Sequence, residues 1–173
     1  MAGRKRPKTM HKPARYFLPG LLACLGTLYL AAQPVRQLRI GELETIISQS
    51  KHPLVVSFWA TFCLPCLKEI PALQEMADRR NEDSIELLLV SLDLRDDYPK
   101  LASFIQRHGI SARVAWLNET NADYFCPRID SAWSGSIPAT LFVNRTTSYR
   151  RFYERALSQA EIEQEFMAIR KTN

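Results

Sequence analysis

A chain of 173 residues, 46 % hydrophobic and 24 % charged, is long enough for one domain plus an extra segment, and its composition argues against global disorder. The formal charge of +5 sits in residues 1–15, where Arg4, Lys5, Arg6, Lys8, Lys12 and Arg15 meet no acid, and the rest of the chain carries about −1. The basicity therefore belongs to a tail, and it does not describe a nucleic-acid-binding face on the folded part.

Residues 16–35 contain no charge. A stretch of that length just meets the roughly 17–25 residues a bilayer-spanning helix needs, and the cations before it predict a cytoplasmic N-terminus with the rest of the chain exported. Three segments are expected: a basic cytoplasmic tail over 1–15, a transmembrane anchor or signal segment over 16–35, and a folded domain over 36–173. A cleaved signal peptide ending near Leu30-Ala31-Ala32 and a lipoprotein processed at Cys24 are the rival readings. Apolar residues continuing past Cys24 count against the second.

From Arg36 to Ser50, Leu38, Ile40, Leu43, Ile46 and Ile47 have helical spacing, which predicts a short amphipathic helix beginning near Gly41. Pro53 to Ala60 is nearly all apolar and reads as a central strand covered on both faces. Cys63 to about Arg80 reads as a helix with Cys66, Ile70, Leu73 and Ala77 on one face, kinked at Pro71. A second buried strand is expected over Ser84–Leu92, and a helix over Asp96–His108 that stops at Gly109. Arg113–Leu117 reads as a third strand. Asn118 to Ser136 shows no long pattern; Asn121 starts a short helical turn through Phe125, which Pro127 ends. Ala139–Val143 and Ser148–Tyr153 form a hairpin, the second of them an edge strand. Ser158 and Glu161 make a capping box that opens a final helix through Ile169. The expected class is α/β, with a central mixed sheet, a βαβ first half and a C-terminal hairpin and helix.

The chemistry concentrates in Trp59-Ala60-Thr61-Phe62-Cys63-Leu64-Pro65-Cys66. Two thiols three positions apart follow a strand and open a helix. A thiolate is the reactive form of cysteine, and the unpaired amides and dipole of a helix N-terminus favour negative charge there. Cys63 is the candidate nucleophile and is expected to be exposed. Cys66, one turn further in, is the candidate resolving thiol. Half of a zinc site shares this spacing, but the other ligand candidates, Cys126, His11, His52 and His108, are dispersed. An inert structural disulfide is the remaining alternative. No metal and no cofactor beyond the Cys63–Cys66 pair is expected. Glu69, one turn beyond Cys66, is by proximity a candidate to shuttle the Cys66 proton, with a solvated face as the favoured reading. Cys126 is open between a third redox thiol, a metal ligand and a buried small side chain.

Phe58 to Cys66, followed by Lys68-Glu69-Ile70-Pro71, resembles a thioredoxin-fold active site and is similar to the TlpA/ResA group of membrane-anchored thiol–disulfide oxidoreductases. Trp133-Ser134-Gly135-Ser136-Ile137-Pro138-Ala139 through Val143 supports the resemblance. It implies a thioredoxin-like fold and a cis Ile137–Pro138 bond beside the pair. It also implies that the Ile137 backbone binds an extended client segment. Phe62, Trp59 and Trp133 are read as surrounding contacts, Trp59 and Trp133 with core as the alternative. Two departures stand out. Ser57 occupies the place of a buried Asp found in many thioredoxins, and Leu64-Pro65 lacks the acid that ResA-like members carry between the cysteines.

The resemblance further implies a protein disulfide reductase on the periplasmic side of a bacterial inner membrane. Its clients would be apocytochrome c thiols in cytochrome c maturation, or other envelope disulfides, and a membrane thiol carrier would be the electron donor. A disulfide oxidase or isomerase is the enzymatic rival. A copper chaperone-like metal-handling module is the non-enzymatic one. No nucleic acid is expected among the partners.

Overall fold

A computed structural model of the chain describes residues 35–79 and 85–170, together with Met1 and Gly3. The expected segment over 16–35 lies outside these residues except for Val35, as does the tail apart from Met1 and Gly3. No helix among the described residues is long and apolar enough to cross a membrane.

Six strands form one mixed sheet in the order β1-β4-β3-β2-β5-β6. They are β1 (Arg36–Leu38), β2 (Leu54–Trp59), β3 (Glu86–Ser91), β4 (Arg113–Leu117), β5 (Ala139–Asn144) and β6 (Tyr149–Tyr153). β1, β4, β3 and β2 are parallel to one another, β5 is antiparallel to β2, and β6 is antiparallel to β5. This is the thioredoxin-like mixed sheet that the sequence resemblance implies. Among the described residues five helices cover it: α1 (Ile40–Gln49), α2 (Leu64–Arg79), α3 (Tyr98–Arg107), α4 (Ala122–Ile129) and α5 (Gln159–Ala168).

β2 is buried along its whole length, as the unbroken apolar run predicts, because both faces are covered. Val55, Trp59, Leu87, Leu89 and Phe142 face a core filled by Ile70 and Leu73 of α2, Leu101 of α3 and Ile162 and Phe166 of α5. Leu54, Val56, Phe58, Leu88 and Val90 face the opposite core, filled by Leu43 and Ile47 of α1 and Phe125 and Ile129 of α4. Period-two alternation thus divides each central strand between two hydrophobic layers.

The first helix begins at Ile40, as the expectation near Gly41 has it, but Arg36–Leu38, to which the sequence assigns no element, is an edge strand paired with Ala115–Leu117. Three residues are too few to show a period, so only the pairing partner reveals the strand. Pro127 does not end the short helix, and α4 runs on through Ile129. Burial of Phe125, Cys126 and Ile129 and an ion pair between Arg128 and Glu44 of α1 offset the one helical bond that proline removes. Pro71 lies inside α2, as expected. The final helix opens with the expected capping box: Ser158 Oγ accepts from the Glu161 amide and Glu161 Oε2 from the Ser158 amide.

Candidate active site

Cys63 lies where β2 gives way to α2. Its amide donates to the Ala60 carbonyl at 3.0 Å, and its carbonyl accepts from the Leu67 amide at 3.1 Å. Cys63 is therefore the N-cap of α2, with Leu64, Pro65 and Cys66 as its first three helical residues. The Cys66 amide donates to Cys63 Sγ at 3.3 Å. A sulfur here fills the place usually taken by a Ser or Asp oxygen at an N-cap. Pro65 costs nothing at this position, since amides in the first turn have no intrahelical partner. The two cysteines are joined as a disulfide, with Cα atoms 5.3 Å apart.

The expectation of an exposed Cys63 is corrected. It is 7 % accessible, against 1 % for Cys66. The asymmetry runs in the predicted direction, but the exposure belongs to the side chains on either side. Phe62 and Leu64 are 67 % and 69 % accessible, and Leu94, on the neighbouring loop, is 68 %. Large apolar side chains in water beside a recessed disulfide form a surface suited to an apolar partner segment.

Trp59 and Trp133 do not belong to that surface. Trp59 is completely buried and packs toward Phe104 with ring centroids 6.1 Å apart. Trp133 is 4 % accessible, lies 4.4 Å from the Phe58 ring, and sits in the core on the α1/α4 side of the sheet, whereas the cysteines sit on the other side. Both are core residues, because a tryptophan next to a sheet buries more area by packing inward. Pro138 is buried and Ile137 half-buried, and the bond between them is cis, as the resemblance implies. Among the described residues the Ile137 amide and carbonyl make no hydrogen bond.

Glu69 is the clearest correction. It is 5 % accessible and faces inward. Its carboxylate accepts from the Leu157 amide at 3.3 Å and from Thr140 Oγ1 at 3.4 Å, and Thr140 Oγ1 also lies 3.4 Å from Ser57 Oγ. Burial pushes the Glu69 carboxyl up to about 6, against the pull of the Leu157 and Thr140 hydrogen bonds and of Arg155. Ser57 and Thr140 are directly opposed across β2 and β5, which aligns their hydroxyls on the α2 side. A buried carboxylate is thus supplied from the helix, three residues after Cys66, and not from β2, where Ser57 stands. Residues three apart on a helix are neighbours. The sequence signal was available: on the helical wheel Glu69 falls between Leu73 and Met76, both buried.

Asp93 was not anticipated. It follows β3, is 4 % accessible, and accepts from the Thr61 amide at 3.0 Å, Thr61 Oγ1 at 2.5 Å and Ser91 Oγ at 2.7 Å. Its own carbonyl accepts from Trp116 Nε1 at 2.7 Å. Asp93 thereby fixes the turn that delivers Cys63. No local pattern announces such a contact, because its partner lies 32 residues away.

Cys126 is a free, buried thiol on α4, and burial, together with the charges of Glu154 and Asp123, pushes it up to about 11. That makes it a poor nucleophile and selects the buried small side chain among its three readings. No group of three or more His, Cys, Asp or Glu suited to a metal ion occurs among the described residues.

Comparison with known proteins agrees with this geometry. A thiol-disulfide oxidoreductase ResA from Halalkalibacterium halodurans is 24 % identical over 118 residues, covering 67 % of this chain and 61 % of that protein. The chain thus spans less than two thirds of that relative. Among solved structures, a thioredoxin-related protein from Neisseria meningitidis serogroup B superposes with a TM-score of 0.60 at 19 % identity, over 71 % of this chain and 89 % of that one. StoA from Bacillus subtilis does so with a TM-score of 0.52 at 18 % identity, over 69 % and 85 %. These likenesses establish the fold. The family model for AhpC/TSA matches residues 37–148, most of the chain, and the chain belongs to that family.

Proposed function

We propose that this protein is a thiol–disulfide oxidoreductase that works through Cys63 and Cys66, most naturally as a reductant of protein disulfides. The observation that carries the reading is the Cys66 amide aimed at Cys63 Sγ at the start of α2. That donor and the helix N-terminus stabilise a Cys63 thiolate once the pair is reduced. The thiolate attacks one sulfur of a client disulfide; a Cys63–client bond forms and the client's second sulfur leaves as thiolate. Cys66, deprotonated, then attacks Cys63 Sγ. The Cys63–Cys66 bond closes, the client is released as a dithiol, and two electrons have passed to it. Both protons end on the client thiols. A dithiol donor must reduce Cys63–Cys66 before the next cycle.

Glu69 is suited to the second step. It is buried, close in sequence to Cys66, and holds its proton up to about pH 6, so near neutrality it is available to take the Cys66 proton. Phe62 and Leu64 supply apolar contact beside the sulfur. The free amide and carbonyl of Ile137 pair with an extended client backbone as an added strand. The exchange chemistry agrees with the name of the ResA relative, a thiol-disulfide oxidoreductase, and the reducing direction is part of the proposal. The uncharged stretch over 16–35 behind six cations supports an extracytoplasmic, membrane-tethered setting with a membrane thiol carrier as donor.

A trapping experiment tests the mechanism. Cys66→Ser is expected to accumulate mixed disulfides through Cys63, and Cys63→Ser to accumulate none. If neither variant traps a client, exchange at this pair is wrong. A redox titration tests the direction: a potential more reducing than about −200 mV is expected, and a value near −120 mV would make the protein an oxidant.

A further inference from the structure

The segment that leads into the cis Ile137–Pro138 bond is held by one carboxylate. Glu154, the first residue after β6, accepts from the Ser134 amide at 3.0 Å, from Ser134 Oγ at 2.5 Å and from the Ser136 amide at 2.8 Å. Its second oxygen lies 3.1 Å from the Ser134 amide. These three donors hold its carboxyl below the usual carboxylate range. No cation pairs with it among the described residues; the adjacent Arg155 turns to Glu161.

The other side of the segment is walled by α4. Gly135 has φ +103°, a conformation closed to most side chains, and a Cβ placed there would stand 3.7 Å from both Cys126 Sγ and Ala122 Cβ. Trp133 Nε1 donates to the Ser136 carbonyl at 2.9 Å. Ser134 and Ser136 are thus fixed by Glu154, by Trp133 and by the α4 wall. The next residue, Ile137, has both backbone groups free among the described residues. Rigid support up to Ile137 and open hydrogen-bonding groups at Ile137 form a prearranged edge for one extended peptide.

We propose that Glu154 is the positioning residue of the client-binding segment: by fixing Ser134 and Ser136 it presets the Ile137 backbone for an extended polypeptide flanking a cysteine. This rests on the exchange reading above and adds to it the residue that sets affinity for protein over small disulfides. Ordering a loop at the moment of binding costs affinity, and a preorganised loop avoids that cost. Glu154 touches neither cysteine, so its effect falls on binding of a chain and leaves the reaction at sulfur alone.

The test compares full-length wild type, Glu154→Ala, Glu154→Gln and Ser134→Ala with two oxidants of the reduced pair, insulin and a small aromatic disulfide. Amide hydrogen exchange is followed at Ser134 and Ser136. Glu154→Ala is expected to raise KM for insulin about tenfold with kcat within about twofold. Glu154→Gln, which keeps one acceptor oxygen, and Ser134→Ala, which removes one donor, are expected to fall between it and wild type. The rate with the small disulfide and the Cys63–Cys66 potential stay at wild-type values, while the Ser134 and Ser136 amides exchange faster. An unchanged KM in Glu154→Ala, or an equal loss with both oxidants, overturns the proposal. If Glu154→Ala does not fold, an unchanged KM in the Gln and Ser134 variants overturns it. Wild type inert toward both oxidants would instead overturn the exchange reading itself.

Discussion

The two faces of the sheet share their strands and differ in what they bury. On the α1/α4 side, Phe58 meets Trp133, which is flanked by Phe125 and Phe152 at ring separations of 5.8 Å. On the α2/α3/α5 side the same strands carry Ser57, Ser91, Thr140 and Asn144, all buried, and α2 adds Glu69. Both faces bury aromatic rings, Trp59, Trp116, Phe142 and Phe166 lying on the second, so rings do not separate them and the α1/α4 side serves packing alone. The other also accepts buried polar groups, each bonded to a partner, and desolvating them is tolerable only because they are bonded. The lesson is that polarity inside this fold marks the side on which chemistry takes place. Single substitutions on the two faces should therefore separate stability from redox behaviour.

The largest effect is expected from the α1/α4 face. Trp133→Ala empties a site between three rings and should cost about 3–5 kcal/mol in denaturant unfolding. Folded Trp133→Ala protein should keep the wild-type Cys63–Cys66 potential, because the sheet stands between the ring and the sulfurs. A shifted potential would show that the two faces are coupled and would break the distinction. Loss of the Asp93 anchor ranks next. Asp93→Ala leaves the Thr61 amide, its hydroxyl and the Ser91 hydroxyl without their acceptor. A cost of about 2–3 kcal/mol is expected. In contrast to Trp133→Ala it should also lower the rate at which reduced Cys63 reacts with a small disulfide, because the turn that seats Cys63 loosens. Equal rates for the two variants would deny Asp93 its place in the site.

How much of this was legible in the sequence follows from the range of each interaction. β2, β3, β4 and the helix after Cys63 were readable because continuous apolar runs and period 3.6 are local signals. The N-cap position of Cys63 was readable because it needs only a strand followed at once by a helix. β1 was not, since a three-residue edge strand is defined by its partner near residue 116. Asp93 and Glu154 were not, since their donors lie 32 residues away and 18 to 20 residues away. Glu69 was the instructive case. Its helical position pointed inward, yet its charge suggested solvent, and only the Thr140 hydroxyl and the Leu157 amide explain why the inward position won.

Glu69 also gives the smallest and most specific expected effect. Its carboxyl is raised from 4.5 to about 6, chiefly by burial, with Arg155 opposing and Glu161 adding to the shift. A raised acid favours the folded state at low pH, where it is neutral in both states. That advantage is lost as pH climbs from the unfolded value of 4.5 through about 6. At about 1.4 kcal/mol per pKa unit the burial of charge costs the folded protein about 2 kcal/mol above that window. Glu69→Gln is neutral throughout and keeps one acceptor oxygen for Thr140 or Leu157. Measured on the oxidised protein, the variant should gain about 1–2 kcal/mol over wild type between pH 4 and pH 7.5. The same variant lacks the base proposed for Cys66, so its mixed disulfides should resolve more slowly near neutrality. A stability difference that stays flat with pH would place Glu69 in solvent after all and dissolve the polar face into an ordinary core.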